Sequence, residues 1–257
     1  PHRPEHPTPG TLSVMSQVKL RRSASWGVVL VLPVASVLSA CVIVRPTDWQ
    51  LLWIRSVGFY GMALLPVSLA VLASLVWRVD HQGSNWNALM SSSVPTWRTV
   101  VAKAIAAWLP AAVMQLVLVL ASAAVGSLVL GLPGVLPVRC LAAGALIAVA
   151  CAPACALQTG LSAFTRSFAL PVAVGLVLTG AGTTMLLVHV PVAWLLPQAL
   201  VTRTTQIGAV NEGAATSFAV QDLTWVSAIS IIGTCATLSV VIVIITSMLL
   251  DRTDARG

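Results

Sequence analysis

The chain has 257 residues, of which 58% are hydrophobic and only 8% charged, and its mean hydropathy is +0.94. A soluble domain carries roughly a quarter charged residues because water must wet its surface; this chain has too few, so lipid must cover most of it. The formal charge of +7, from 14 basic and 7 acidic residues, is concentrated at the ends of apolar runs, which is the pattern of membrane topology rather than of nucleic-acid binding.

In chain order, Pro1 to Gly10 holds four prolines and no apolar run. It reads as a disordered leader, without the short apolar core and cleavage site of a removable signal. Residues 10–22 place Leu12, Met15 and Val18 at three-residue spacing beside Lys19, Arg21 and Arg22. They form either an amphipathic helix on the inner leaflet or a flexible basic anchor. Residues 1–24 are thus a leader with an interfacial segment, 25–250 a transmembrane domain, and 251–257 a cytoplasmic tail.

Charged residues divide the transmembrane part. Twenty-two uncharged residues separate Arg22 from Arg45 and another 22 separate Arg55 from Arg78. The gap from Lys103 to Arg139 holds 35, that from Arg139 to Arg166 holds 26, that from Arg166 to Arg203 holds 35 plus His189, and that from Asp222 to Asp251 holds 28. About 20 apolar residues cross the roughly 30 Å hydrocarbon layer, so each gap holds one span and none comfortably holds two. The expected fold is an all-α integral membrane protein with six spans near 25–44, 56–78, 103–130, 140–165, 168–190 and 225–250. Gly131, Pro133, Gly134 and Pro137 part the third span from the fourth, and Ser167–Pro171 tightly connects the fourth to the fifth.

An even number of spans puts both termini on one side. If that side is cytoplasmic, ten basic residues lie inside against four outside (Arg45, Arg55, Arg139 and Arg203), as the positive-inside rule requires. Trp26, Trp49, Trp53, Trp77, Trp108 and Trp225 fall near the expected interfaces, where amphipathic indoles accumulate.

The fourth span carries Gly144, Ala148, Ala152, Ala156 and Gly160 at four-residue spacing, either a ridge for close helix packing or the chance product of an alanine-rich chain. Of the cysteines, Cys41, Cys151, Cys155 and Cys235 lie well inside apolar runs and Cys140 starts one. They read as small packing residues, and no metal site is expected.

No formal charge is expected inside a span, which argues against ion coupling and voltage sensing. Gln115 and Gln158 are the notable buried polar side chains, each suited to a bond across a helix pair, and His189 belongs at the outer end of the fifth span. No H-E-x-x-H, membrane aspartate pair or Ser/His pairing is present. The only lysines, Lys19 and Lys103, follow no P-loop glycines. The chain is therefore not expected to be an enzyme, and any energy for transport comes from another subunit.

The long inside loop, Trp77 to Lys103, reads W-R-V-D-H-Q-G-S-N-W-N-A-L-M-S-S-S-V-P-T-W-R-T-V-V-A-K. Asp80 or Ser84 can cap a short helix with Trp86, Leu89 and Met90 on one apolar face. Pro95 ends it, and Trp97 to Lys103 leads into the third span. Such a face serves a cytosolic partner or rests on lipid.

An acidic residue, a Gly, a Trp and a Leu, then S-x-P-x-x-R-x-x-x-x-K before the third span, resemble the ABC-2-type permeases. Among these the chain is most similar to the permease subunits of lantibiotic (bacteriocin) immunity exporters. The residues carrying the resemblance are Asp80, Gly83, Trp86, Leu89, Ser93, Pro95, Arg98 and Lys103; many relatives have Glu where Asp80 stands.

The resemblance implies a coupling helix around Asp80–Ser92 within loop 79–102, docked on a cytosolic ATP-binding subunit. It implies two permease chains, alike or different, over two such ATPases, with Mg-ATP bound there and no cofactor in this chain. It also implies an outer re-entrant hairpin over 190–222, where Pro191, Trp194 and Pro197 fall. Function would be ATP-driven export of an amphipathic or hydrophobic substrate, such as a lantibiotic-like peptide, across the bacterial cytoplasmic membrane, with no nucleic-acid partner. The rival reading is a non-transporting scaffold or sensor that recruits a cytosolic protein through the same loop.

Overall fold

The structure is a computed structural model that describes residues 9–42, 45–78, 95–165, 167–207 and 223–254. Among these residues the fold is all helical. In chain order the helices are α1 (Pro9–Ala40), α2 (Trp49–Trp77), α3 (Thr96–Val129), α4 (Val138–Ala163), α5 (Ala169–Leu187), the short α6 (Pro197–Thr205) and α7 (Trp225–Asp254). Five of them, α2 to α5 and α7, are long and apolar enough to cross a bilayer. In α1 the apolar stretch Ser25–Ala40 is shorter.

Local chemistry sets the ends. Asp48 caps α2 by accepting from the Leu51 amide at 2.8 Å. Gly131 (φ 65°) and Gly134 (φ 77°) reverse the chain after α3, and Pro137 precedes the first turn of α4. At the end of α5, His189 adopts φ 56° while the Val190 amide reaches back to the Met185 carbonyl at 2.9 Å, a left-handed cap. His189 is exposed there.

α4 is the hub, packing on α2, α3, α6 and α7. Its most apolar window is 61% buried, against 11% for α7, which leans on α4 and α3 and otherwise faces outward. In lipid, close packing replaces the hydrophobic effect between helices, and α4 supplies small residues for it: Ala150, Cys151, Ala154 and Cys155 are all buried. All five cysteines are free thiols.

The structure corrects several sequence expectations. α2 starts at Trp49 rather than near 56, and α3 at Thr96 rather than 103. Arg55, Arg98 and Lys103 therefore lie within helices instead of marking their ends. Charge positions locate the hydrocarbon, but a capped helix continues beyond it, and long basic side chains reach back to the interface. Trp49, Trp53 and Trp77 are buried between helices, where each indole fills interhelical space, so only Trp26 and Trp225 of the expected belt are strongly exposed. Segment 10–22 is helical and forms the first part of α1, continuous with Ser25–Ala40.

Candidate functional site: the base of loop 79–94 and the buried helix α6

α2 and α3 frame the loop 79–94. Asp80, Gly83, Trp86, Leu89, Met90 and Ser93 lie outside the described residues, whereas Pro95, Arg98 and Lys103 form the base of the loop. Pro95 is exposed and precedes α3, its carbonyl accepting from the Arg98 amide at 2.9 Å. The Arg98 guanidinium sits 5.4 Å from the centroid of the exposed Trp97 ring. Lys103 lies two turns into α3 and reaches across to α2. Its Nζ stands 5.3 Å from the Trp77 ring centroid and donates to the Val76 carbonyl at 3.4 Å. An ammonium over an indole face is worth about 0.5–2 kcal/mol, more as water is excluded.

Trp77 also belongs to a small cluster separate from the main core. Val100 of α3, Ala163 of α4 and Leu250 of α7 complete it. One residue from each of the four helices thus meets near the ends of α2 and α3 that flank the loop in sequence, and Lys103 ties those two helices together beside that cluster.

The residues of the α4 ridge do not share one neighbour. A four-residue step overshoots a 3.6-residue turn, so the row winds around the helix. Gly144 faces Val119 of α3, whose Cγ2 would lie 2.7 Å from an added Cβ; Gly160 faces Thr246 of α7, with Oγ1 at 2.7 Å. Between them the Ala148 carbonyl accepts the Trp108 indole N–H at 2.8 Å, while Ala152 and Ala156 floor an apolar cleft between α3 and α7.

At the opposite end, Pro191 is exposed, Trp194 half-buried, and Pro197 opens α6. Within the hairpin expected over 190–222, α6 is buried as far as Thr205, against α4 and α5. Hydropathy misses this because threonine counts as polar, yet each buried hydroxyl finds a carbonyl: Thr204 donates to Leu200 at 2.7 Å and Thr205 to Thr202 at 2.7 Å.

Thr202 donates to Gln198 at 3.2 Å and also to the Gly61 carbonyl at 3.3 Å. Gly61 lies in a π-turn of α2, Tyr60–Leu64, and an added Cβ there would collide with the Thr205 side chain. A second π-turn, Val125–Val129 in α3, brings Gly126 against the Trp49 ring in the same way. π-turns recur at functional sites, and no hydropathy pattern signals them.

Of the two buried glutamines, Gln115 bonds across a helix pair and Gln158 contributes packing. Gln115 Nε2 donates to the Tyr60 hydroxyl at 3.1 Å, joining α3 to α2. Gln158 packs its amide on Gly175 of α5. Ser74 and Ser162 meet at 3.3 Å between α2 and α4.

Long apolar helices packed through small residues, with a basic and aromatic clasp under one loop, define a multi-pass helical membrane protein. The profile of the family described as ABC-2 family transporter protein matches residues 17–182. That match covers more than half of the chain, which therefore belongs to this family of transporter membrane components. No curated protein and no solved structure matches the chain.

Proposed function

We propose that the chain is the permease subunit of an ATP-driven exporter, coupled to a cytosolic ATP-binding subunit through loop 79–94. The observation that carries the reading is the family match over 17–182, which includes this loop, together with the Lys103 clasp that joins the loop's base to four helices.

In this reading α1 supplies a sixth span through Ser25–Ala40 and both termini are cytoplasmic, supported by the ten-to-four bias of basic residues. Two permease chains stand over two ATPases. Asp80, Gly83, Trp86, Leu89 and Met90 dock, while Pro95, Arg98 and Lys103 hold the exit. Mg-ATP binds and is hydrolysed in the partner, and this chain does no covalent chemistry. Nucleotide-driven closure favours one spacing of the two loops over another, and that difference in free energy moves the spans. The substrate is amphipathic or hydrophobic, a lantibiotic-like peptide being the family-level expectation, and the membrane is the bacterial cytoplasmic one.

The test is co-expression of the tagged chain with its neighbouring genes and purification in mild detergent. A P-loop ATPase should co-purify, and Trp86→Asp with Leu89→Asp should release it. A partner without nucleotide binding would favour the scaffold reading.

A further inference from the structure

The apolar cleft between α3 and α7 has a volume of about 720 Å³. Ile105 and Trp108 form one wall, Ile244 and Met248 the other, and Ala152 with Ala156 of α4 the floor. The alanines make the space: a larger side chain at either position would fill it. The walls of an apolar cleft of this size call for apolar atoms in dispersion contact with them, and in a bilayer the neighbouring medium is lipid.

Length separates the candidate occupants. On α3 the cleft runs from Trp97 to Trp108 and on α7 from Ser239 to Asp251. At 1.5 Å per residue these are about 17 and about 18 Å. One leaflet of a roughly 30 Å hydrocarbon layer is about 15 Å deep. The cleft therefore has the length of a single acyl chain and lies wholly in the leaflet on the side of loop 79–94. A helix from a second copy would need a groove through both leaflets.

The lining carries one charge, a carboxylate, and a cation stands beside the mouth on a lining tryptophan. Asp251 lines the cleft and is exposed, and Trp97, on the facing wall, bears the Arg98 guanidinium at 5.4 Å from its ring centroid. A cation and a carboxylate at the interface end of an apolar slot complement a zwitterionic headgroup. A primary ammonium can donate hydrogen bonds to a carboxylate; a quaternary one cannot.

We propose that this cleft seats one acyl chain of a phosphatidylethanolamine, its phosphate at Arg98 and its ammonium at Asp251. The site is independent of the permease reading, and the experiment requires neither ATPase nor transport.

The full chain, reconstituted in nanodiscs, is photolabelled with phosphatidylethanolamine carrying a diazirine at the end of one acyl chain, and with the matching phosphatidylcholine. Adducts are mapped by peptide mass spectrometry. The expected result is labelling on Ala104–Trp108 and Ala152–Ala156, favouring the ethanolamine lipid by about tenfold. Ala152→Trp should abolish these adducts, while labelling of the outward-facing Leu116 and Leu120 persists as a sign of an intact fold. Asp251→Asn should remove the headgroup preference and keep the labelling. Equal labelling by both lipids in the wild-type chain would overturn the proposal. So would cleft labelling that survives Ala152→Trp, or a cleft left unlabelled in the wild-type chain.

Discussion

The two ends of the helix bundle are held together differently. At the end away from loop 79–94, Trp49 packs its ring on Gly126 and donates to the Pro133 carbonyl at 2.8 Å, Arg139 donates to Gln50 at 2.8 Å, and α6 wedges against Gly61. These contacts interlock backbone with side chain. At the end next to that loop the described clasp is Lys103 over Trp77, with the four-residue cluster beside it. A cation is attracted to the ring face anywhere within about 6 Å of its centroid, so this contact is geometrically less exacting than a steric one. The comparison teaches that one pair of helix ends is joined by close packing and the other by an electrostatic contact.

The largest effect is expected where the lock is steric. Gly61→Leu should destabilise the chain by about 3 kcal/mol, through overpacking against Thr205, read as a lower melting temperature in mild detergent. Gly126→Ala, against the Trp49 ring, should cost about 1–3 kcal/mol by the same mechanism. An unchanged melting temperature in both would remove the steric lock.

The clasp should separate stability from coupling. Lys103→Ala should cost about 1 kcal/mol of stability and lower permease-stimulated ATP hydrolysis severalfold, while Lys103→Arg, which keeps a cation for the ring, should restore most of the stimulation. If both variants stimulate the partner's ATP hydrolysis as the wild-type chain does, the clasp does not transmit through Lys103.

Smaller effects are expected at the polar contacts between the two ends. Gln115→Leu, which loses the bond to Tyr60, should cost about 0.6 kcal/mol and at most about 1.7. Ser74→Ala should cost about 0.5 kcal/mol, since its contact with Ser162 is a single neutral hydrogen bond. Chemical unfolding in a fixed detergent ranks the two.

Much of the helical frame was legible because lipid imposes a simple rule. The gaps around Arg139, Arg166 and Asp222 mark α4, α5 and α7 closely, and Gly131, Gly134 and Pro137 mark the turn before α4, since a left-handed glycine and a proline leave few alternatives. The starts of α2 and α3 were less legible, because Arg55 and Lys103 can sit inside a helix and still reach polar partners. α6 was hidden by its threonines, whose hydroxyls are satisfied locally. The ridge Gly144–Gly160 was visible as spacing, but its two ends face different helices. Lys103 was singled out by a motif; its partner, Trp77, emerges only when α2 and α3 are brought together.

The central claim is that loop 79–94 drives these spans from a cytosolic ATPase. Its most direct test is ATP hydrolysis by the co-purified partner in nanodiscs, with wild-type chain and with Trp86→Asp/Leu89→Asp. Hydrolysis that rises with the wild-type chain, and falls to the level of the free partner with the double variant, is the predicted result. Equal hydrolysis with the two chains, both shown to be folded, would contradict it.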